Sequence, residues 1–361
     1  FSKLGVKVIE NYGRFISPKI LAAGKYPIAA KRYVIATGSS AHVPDIEGLA
    51  DAPFLTNETI FDLEVAPEHL VIIGGGPIGV EMAQAHRRLG ADVTVIEGAS
   101  ALGREDPEIA DVVLDSLRED GVTILENAQI EKITAKKDAR APKVDIHTSV
   151  GKISGSHLLV ATGRVANISR LNLPAAGVEI ARTPAGQTCI RTDKRLRTSN
   201  RKIFAIGDVA GGPQFTHSAS YQAGIVIRNV LFHLPARANF NVMPRVTYTA
   251  PELAQVGLSE AEARRRHKSV KILRWPFEEN DRARAERASE RLPDEVTVLV
   301  GSPTDRHFLR EEGIRHEDLF VAATEREDLN MLSCLLAKRE GARRTVALVY
   351  QTELEHVVQN T

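Results

Sequence analysis

The sequence feature that most constrains the fold of this chain is an apolar run that leads directly into a glycine-rich turn. Residues 70–73 read Leu-Val-Ile-Ile. The turn and helix start that follow consist of Gly74, Gly75, Gly76, Pro77, Ile78 and Gly79. A Gly-x-Gly-x-x-Gly order after a strand is typical of a turn that lets a pyrophosphate approach the backbone in front of a helix N-terminus. The pattern predicts a dinucleotide site, and a glycine-rich turn in an ordinary α/β domain is the alternative.

The segment after this turn predicts a helix, a second strand and an acid. An apolar helical stripe is predicted at Ile78, Met82, Ala85 and Leu89. Gly90 ends the helix, and residues 92–96 read as a strand that is followed by Glu97. A carboxylate in this position accepts hydrogen bonds from both ribose hydroxyls and repels a 2′-phosphate. Glu97 therefore predicts NAD rather than NADP.

Composition and charge exclude several classes of function. The 361 residues, 43% of them hydrophobic, are enough for two or three domains with real cores. A formal net charge of +1 gives no basis for binding nucleic acid or an anionic membrane, and no apolar stretch approaches the roughly 20 residues that span a bilayer. Cys189 and Cys334 have no metal or Cys-x-x-Cys spacing. They are predicted to be buried small hydrophobes, and they favour a cytoplasmic location and no metal site.

Two basic segments raise the alternative of a nucleic-acid patch. One is 264–268, and the other carries Arg282, Arg284 and Arg287. Glutamates and alanines alternate with these arginines, which is typical of solvated helix faces. The chain is therefore predicted to bind small-molecule nucleotides and no nucleic acid.

Three apolar strands end in small or acidic residues. Segments 33–38 and 158–163 both end in Ala-Thr-Gly, and segment 203–208 ends in Gly-Asp. Each ending alone is an ordinary turn, but their order around the dinucleotide unit is distinctive. Further matches are segments 56–61, 214–217 and 248–257. With these residues, the chain resembles the pyridine-nucleotide disulfide oxidoreductases, the flavoproteins of the dihydrolipoamide dehydrogenase and mercuric reductase group, over residues 1 to about 288.

The resemblance implies that FAD and NAD are the cofactors. It implies that Thr37 and Gly38 contact FAD and that Asp208 binds the ribityl oxygens of the flavin. The flavin's pyrimidine end is assigned to the backbone of Phe215, Thr216 and His217. A catalytic base is the alternative role for His217, but its match is to a flavin-flanking segment, so a positional role is favoured. No catalytic residue is assigned.

The resemblance also assigns residues on the NAD side. It implies that Glu81 lies near the nicotinamide and that Gly163 lies near the NAD ribose. The backbone of Ile130, beyond the strand at 122–125, is expected near the adenine.

Three family features are missing from this sequence. They are the glycine-rich turn for the FAD pyrophosphate, the Cys-x-x-x-x-Cys pair and the His-Pro…Glu segment. The segment from Leu4 to Arg14 reads as strand material that follows the cysteine pair in the family. We therefore expect a truncated FAD domain and no disulfide reductase activity in this form, since that chemistry needs a reactive thiolate.

The last part of the chain departs from this family. Strands are predicted at 296–300, 319–323 and 345–350, and a helix from about Glu325 to Glu340 with Leu329, Leu332 and Leu336 inside. This tail resembles the second half of the NAD-binding regulatory subunit of Trk potassium uptake systems. Its Gly-Asp-x-Thr-Asp motif appears at 301–305 without the first acid. A piece of doubly wound core without a cofactor is the alternative.

The predicted fold is α/β, with a Rossmann-type NAD domain (67–163) inserted in a truncated FAD domain (1–66 and 164–236). A partial interface or dimerisation domain (237–288) and a partial second Rossmann-like unit (289–361) follow. The seam is expected within 281–293. Segment 281–295 is expected to be protease-sensitive, unless the open sheet edge of the tail recruits a partner copy.

The leading functional prediction is an NAD-linked, FAD-dependent oxidoreductase that transfers hydride between NADH and flavin. The family resemblance implies a homodimer for the intact protein. The alternative is a nucleotide-binding regulatory subunit of a potassium uptake system, whose partner is a membrane potassium transporter.

Overall fold

The computed structural model describes residues 2–136, 143–183, 186–274, 319–322, 327–342 and 344–347. The chain forms two compact units, Phe1–Arg274 and Trp275–Thr361.

The first unit is a mixed α/β structure. Its strands are β1 (Gly13–Ser17), β2 (Ile20–Ala23), β3 (Tyr26–Ala29), β4 (Tyr33–Ile35), β5 (Ser39–Ala41), β6 (His69–Ile73), β7 (Asp92–Ile96), β8 (Thr123–Leu125), β9 (Ile130–Lys136), β10 (Lys143–Thr148), β11 (Gly151–Gly155), β12 (His157–Val160), β13 (Arg164–Ala166), β14 (Ile180–Arg182), β15 (Thr188–Ile190), β16 (Ile203–Ala205), β17 (Arg245–Thr247) and β18 (Leu253–Gln255). Its α-helices are α1 (Pro77–Arg88), α2 (Pro107–Glu119), α3 (Leu173–Ala176), α4 (Thr216–Val230) and α5 (Glu260–Arg266). Short 3₁₀ turns cover Ser2–Leu4, Ile60–Asp62, Gly207–Ala210 and Phe240–Val242.

A parallel sheet in the order β12-β6-β7-β8 forms the centre of this unit. Alternate residues of its strands enter two different cores. Leu70 and Ile72 pack with the apolar residues of α1 and α2 on one face. Val71 and Ile73 pack on the other face with residues of the antiparallel sheet β9-β10-β11. Because both faces are covered, the strands are continuous apolar runs, as parallel strands usually are.

Two pairs of strands carry the chain into this region and out of it. β4 pairs in parallel with β16, and the Tyr33 N–H donates to the carbonyl of Lys202, which lies 169 positions later in the sequence and directly precedes β16. β5 then pairs antiparallel with β13, where the chain returns. The segment that contains the parallel sheet is therefore an insertion between two strands that are neighbours in space.

The buried face of α1 differs from the predicted stripe. Gly79, Val80, Ala83 and Gln84 are buried. Leu89 is 74% exposed, Ala85 is exposed, and Ile78 and Met82 are only half-buried. The prediction was wrong because small residues let this helix approach the sheet closely, so the larger side chains lie at its flank.

The prediction of strand structure from Leu4 to Arg14 was also largely wrong. Ser2–Leu4 form a 3₁₀ turn, and the first strand begins only at Gly13. Val6 and Val8 are 49% and 60% exposed, so the alternating apolar residues of this segment face solvent in the described structure rather than a core.

The hairpin of β17 and β18 docks on α1 and α2. The side-chain amide of Gln84 accepts a hydrogen bond from the Ala250 N–H at 2.7 Å and donates to the Ala250 carbonyl at 2.9 Å. Ser116 donates to the same carbonyl, and Leu253 enters the core beneath the helices. Gln84 is 4% exposed, so these bonds satisfy a buried amide.

The second unit contains a β-α-β element in its described part. Its elements are β19 (Leu319–Ala322), α6 (Glu327–Glu340) and β20 (Arg344–Ala347), and the strands pair in parallel. Gly341, with φ of +114°, ends the helix as predicted. The predicted inner position of Leu332 was wrong: Leu332 is 47% exposed, while Ser333 and Ala337 are buried. Here too, small residues form the packed face.

Several predictions lie outside the described residues. These are the seam at 281–293, the linker at 281–295, the strand at 296–300, the motif at 301–305 and the arginines at 282, 284 and 287. Within the described ranges, no helix has the length and apolar character needed to cross a membrane.

Candidate functional site

The turn after β6 is held by contacts that require glycine. Gly74 has φ of +108°, and a β-carbon at this position would lie 2.6 Å from the carbonyl oxygen of Ala161. A β-carbon at Gly79 would overlap the carbonyl oxygen of Gly74. Gly74 therefore makes the turn between strand and helix, and Gly79 allows the first turn of α1 to pack directly on it.

Gly76 faces open space at the start of α1. It is the N-cap residue, its backbone is extended, and no side chain caps the helix. A β-carbon at Gly76 would meet no atom within 4 Å. The first N–H groups of a helix lack partners within the helix and attract negative charge. The first turn of α1, with Pro77 and Ile78, thus begins at an open and uncapped N-terminus, which is an arrangement that can hold a phosphate group.

Glu97 is joined to the glycine turn by hydrogen bonds. One oxygen of its carboxylate accepts from the Gly75 N–H at 2.8 Å, and the other accepts from the Ala99 N–H at 3.0 Å. Gly75 also accepts a hydrogen bond from the Leu102 N–H. Each carboxylate oxygen has a second lone pair, so both remain able to accept from ribose hydroxyls.

A cavity of about 490 Å³ lies between the first turn of α1 and the start of α4. Its lining residues include Ala36, Gly38, Ser39, Ile78, Arg164, Ile206, Gly207, Asp208, Gln214, Phe215, Thr216 and Ala219. The volume is in the usual range for small-molecule and cofactor sites. The helix that begins at the glycine turn and the segment that carries the Gly-Asp pair therefore line one cavity.

Asp208 is bound in a network with Ser39 and Arg164. The Ser39 hydroxyl donates to Asp208 Oδ2 at 2.5 Å. Arg164 donates through Nε to Ser39 Oγ at 2.7 Å and through Nη2 to the Ser39 carbonyl at 2.8 Å. Arg164 Nε also lies 3.6 Å from Asp208 Oδ2. A fixed carboxylate at the cavity wall can accept hydrogen bonds from the hydroxyls of a ligand.

The Gly-Asp pair and the start of α4 are held together by Gln222. Its side-chain carbonyl accepts from the Gly207 N–H at 2.9 Å, and Gln222 is completely buried. Phe215 precedes α4 and stacks on His217, with ring centroids 5.2 Å apart. The Nε2 of His217 lies 3.0 Å from the Pro244 carbonyl oxygen, which is a structural contact. Thr216 is the first residue of the helix and is exposed to the cavity side.

Glu81 lies one turn beyond Ile78 on α1. Its carboxylate accepts a hydrogen bond from the Tyr248 N–H at 2.9 Å. Burial raises the pKa of Glu81 above its ordinary value of 4.5, and the Tyr248 hydrogen bond opposes this shift only in part. Glu81 therefore connects α1 to Tyr248, which directly follows β17, and it is not among the residues that line the cavity.

The remaining predicted residues lie at three places. Thr37 donates from its hydroxyl to the Asn167 carbonyl at 2.8 Å, and Gly38 has φ of +65° beside the cavity. Gly163, with φ of +115°, accepts a hydrogen bond from the His42 N–H. Ile130 begins β9, and its side chain packs against the core beneath the parallel sheet.

Sequence reasoning did not assign Ser39 and Arg164 to the site. Each directly follows the glycine of an Ala-Thr-Gly segment, at Gly38 and Gly163 respectively. The two equivalent positions meet because β5 and β13 pair antiparallel. This equivalence was the signal that could have identified them.

The two cysteines are buried, as predicted. Burial raises the pKa of the Cys189 thiol, which disfavours the nucleophilic thiolate. In the parts of the chain that the structure describes, no cluster of three or more His, Cys, Asp or Glu side chains is arranged to hold a metal ion.

Comparison with known proteins decides the family. The profile of the pyridine nucleotide-disulphide oxidoreductases matches residues 2–223, which is more than half of the chain. The chain belongs to this family. Its α/β fold with a parallel Rossmann-like sheet is the fold that the sequence predicted.

Individual relatives agree with this assignment. The chain is 36% identical over 280 residues to a mercuric reductase of Bacillus cereus, covering 77% of this chain and 44% of the relative. It is 38% identical over 240 residues to a mercuric reductase of Shigella flexneri, covering 66% of this chain and 42% of the relative. The chain thus spans about half or less of the length of these curated relatives.

Solved structures give the same result. The HOCl-induced flavoprotein disulfide reductase RclA of Escherichia coli, in its Cu(II) complex, aligns with a TM-score of 0.69 and 32% identity over 78% of this chain and 63% of that chain. LpdA of Mycobacterium tuberculosis aligns with a TM-score of 0.70 and 27% identity over 79% of this chain and 63% of that chain.

The last part of the chain matches a different family. The TrkA-N domain profile covers residues 267–361. This match agrees with the resemblance of the tail to the Trk regulatory subunit.

Proposed function

We propose that this chain is an NAD-linked flavoprotein oxidoreductase that transfers hydride between NADH and FAD. One observation carries the proposal: Ile78, in the first turn after the dinucleotide-type glycines, and Asp208, of the flavin-type Gly-Asp pair, line the same cavity. Two cofactors that exchange hydride must bring their reactive rings into contact. A single cavity between the two motifs provides that place.

The dinucleotide would be held by the turn after β6. The space before Gly76 would take the pyrophosphate, and Glu97 would accept hydrogen bonds from the adenosine ribose. Glu97 is negatively charged and its carboxylate is fixed by Gly75, so a 2′-phosphate beside it would be repelled. We therefore propose NAD(H) as the physiological nucleotide, with Gly163 near the ribose, Ile130 near the adenine and Glu81 near the nicotinamide.

The flavin would be held by the opposite wall of the cavity. Gly38 and Asp208 line it, and Thr37 directly precedes Gly38. Asp208 would offer its carboxylate to the ribityl hydroxyls, and Thr37 and Gly38 would contact the flavin. The backbone at Phe215, Thr216 and His217 begins α4, whose N-terminus would stabilise negative charge on the pyrimidine ring. When bound, FAD supplies an N5 atom that accepts hydride from C4 of NADH.

Transfer of electrons from the flavin to an acceptor is a separate step from hydride transfer. Mercuric reductases and disulfide reductases are the relatives, and disulfide chemistry needs a reactive thiolate. Cys189 is buried with a raised pKa, and Cys334 is buried in the other unit. We therefore propose that these two cysteines take no part in turnover and that the described residues serve the NADH–flavin half-reaction.

The family suggests how the chain assembles, and its two cysteines suggest where it is located. We propose a homodimer, as the family resemblance implies. The hairpin of β17 and β18 is two-stranded in the described structure. Tyr248 directly follows β17 and Val256 directly follows β18, and they are 69% and 63% exposed. We also propose a cytoplasmic location, where a reducing environment keeps both thiols reduced.

Binding by the full chain tests the proposal. Calorimetric titration is expected to give one NADH site per chain, with NADPH bound more weakly. FAD is expected to bind weakly, because the residues that would hold the middle of the flavin are present but the sequence contains no second glycine-rich turn for its pyrophosphate. A chain that binds neither nucleotide, or that binds NADH but no flavin, would contradict it.

A second candidate function rests on the TrkA-N match. The described β-α-β element of the second unit, with parallel β19 and β20, is the kind of unit from which nucleotide-binding sheets are built. In this case the chain would be a nucleotide-sensing regulatory subunit of a membrane potassium transporter. A second NADH site that persists when the Gly76 site is blocked, together with nucleotide-dependent association with the transporter, would favour it.

A further inference from the structure

Three distant segments of the chain meet at the carboxylate of Asp208. Ser39 lies 169 residues before it and Arg164 lies 44 residues before it in sequence. Ser39 is 9% exposed, and the side chains of Arg164 and Asp208 are 21% and 18% exposed. Hydrogen bonds to charged groups in so buried a network are electrostatically strong.

The direction of the Ser39 proton follows from its neighbours. A hydroxyl has one proton to donate, and an arginine side chain can only donate. Because Arg164 Nε donates to Ser39 Oγ, the Ser39 proton must point elsewhere, and Asp208 Oδ2 receives it at 2.5 Å. Among the described residues, Asp208 Oδ1 accepts no hydrogen bond, and it belongs to a residue that lines the cavity.

The arginine itself is held in place by the backbone. Arg164 pairs with Ala41 in the β13–β5 ladder, and its second donor, Nη2, binds the Ser39 carbonyl at 2.8 Å. Its own carbonyl accepts from the side-chain amide of Gln187. The guanidinium fork is therefore fixed on Ser39 by two bonds, which a lysine could not reproduce.

We propose that Arg164 is a positioning residue for the flavin's polyol chain. By donating to Ser39, it commits the Ser39 proton to Asp208 Oδ2 and leaves Asp208 Oδ1 as the acceptor for a ribityl hydroxyl. Arg164 itself need not contact the ligand. This inference rests on the proposed flavin site. It adds Arg164 and Ser39 as the residues that orient the acceptor oxygen of Asp208.

The network is tested first without any ligand. Unfolding equilibria are measured for Arg164→Met, Asp208→Asn and the double variant, in the wild-type background and with Ser39→Ala. The effects of the Arg164 and Asp208 substitutions are expected to be non-additive by about fivefold in the unfolding constant, and the coupling should fall when Ser39 is removed. Additive effects in the wild-type background would overturn the proposed network.

The second test separates positioning from simple loss of structure. Binding of riboflavin, which has the ribityl chain, is compared with binding of lumiflavin, which lacks it. Arg164→Met and Ser39→Ala are expected to weaken riboflavin binding about tenfold and to change lumiflavin binding less than about twofold. Arg164→Lys should recover part of the riboflavin affinity, because it restores one donor.

A matched control is Arg197→Met. Arg197 forms a two-pronged pair with Asp193 at 2.8 and 2.7 Å, its side chain is 30% exposed, and it does not line this cavity. It is expected to leave both flavin affinities unchanged. Equal losses for riboflavin and lumiflavin in Arg164→Met would overturn the positioning role and leave the flavin site intact. If the wild-type chain binds NADH but neither flavin, the proposed flavoprotein function fails, and the ligand part of this inference fails with it.

Discussion

Glu97 Oε2 accepts a hydrogen bond from the Gly75 N–H at 2.8 Å. The acid that follows β7 is thereby tied to the turn that follows β6, and the two features of the predicted dinucleotide site form one structure. The carboxylate is fixed before any ligand arrives, so little ordering is needed on binding.

Glu97→Gln is expected to reduce discrimination between NADH and NADPH. The amide oxygen can still accept from Gly75, but the charge that repels a 2′-phosphate is gone. The ratio of the NADPH and NADH dissociation constants should fall about tenfold, which corresponds to roughly 1.4 kcal/mol. Fluorescence titration of both nucleotides measures the ratio.

Glu126→Gln is the matched control for this substitution. Glu126 directly follows β8 and accepts a hydrogen bond from the Ala101 N–H at 2.8 Å, so it is an acid in an equivalent strand-end position. Its substitution should leave the ratio unchanged. A wild-type chain with equal affinity for both nucleotides would refute the role given to Glu97.

Gly76→Asp is expected to abolish dinucleotide binding without destabilising the fold. The φ of −76° and ψ of −178° at Gly76 suit any residue, and a β-carbon there meets open space. An aspartate at an N-cap stabilises a helix by about 0.5 kcal/mol relative to glycine and places a negative charge where the pyrophosphate would lie. Gly76→Ala should weaken NADH binding less. Undiminished NADH binding by the aspartate variant would show that the ligand does not occupy this turn.

Gly79→Ala is expected to lower the free energy of unfolding by about 1–3 kcal/mol. The added β-carbon would overlap the Gly74 carbonyl, and a backbone atom cannot move aside as a flexible side chain can. Urea denaturation measures the loss, with Gly76→Ala as the alanine control in open space. Equal stability of the two variants would contradict the close packing of α1 on the turn.

The carboxyl group of Glu81 is expected to contribute to the pH dependence of the free energy of unfolding. Its pKa is raised in the folded state, so between the ordinary value of 4.5 and the folded value the folded chain binds more protons than the unfolded chain. The contribution of Glu81 therefore becomes less favourable as pH rises through that window. Glu81→Gln should be more stable than wild type at pH 7, by less than about 1 kcal/mol after solvent screening of this half-buried group. The difference in stability between Glu81→Gln and wild type should disappear below pH 4. A difference that grows as pH falls would contradict the raised pKa of Glu81.

The sequence predicted the parts of the fold that depend on local pattern. The glycine turn, the strand before it and the Gly-Asp pair at Asp208 could be recognised because their backbone needs particular residues in a particular order. The buried face of α1 could not, because hydrophobicity pointed to Leu89 while close packing selected Gly79 and Ala83. For the same reason, the prediction that Leu332 of α6 is buried was wrong.

The contacts of the site depend on long-range strand pairing and were harder to predict from the sequence. Ser39 and Arg164 are 125 residues apart and meet only because β5 pairs with β13. The bond between Glu81 and the Tyr248 N–H likewise joins segments 167 residues apart. No periodicity within one segment reports such a contact.

NADH and flavin are proposed to meet in the cavity between Ile78 and Asp208. Anaerobic mixing of the FAD-loaded full chain with one equivalent of NADH tests it most directly, by following the visible absorption of the oxidised flavin. We expect that absorption to be lost in the wild-type chain, and to persist in Gly76→Asp while its FAD stays bound. If the wild-type chain binds both cofactors and its flavin remains oxidised, the two sites do not share a reaction centre and the proposed hydride transfer does not occur.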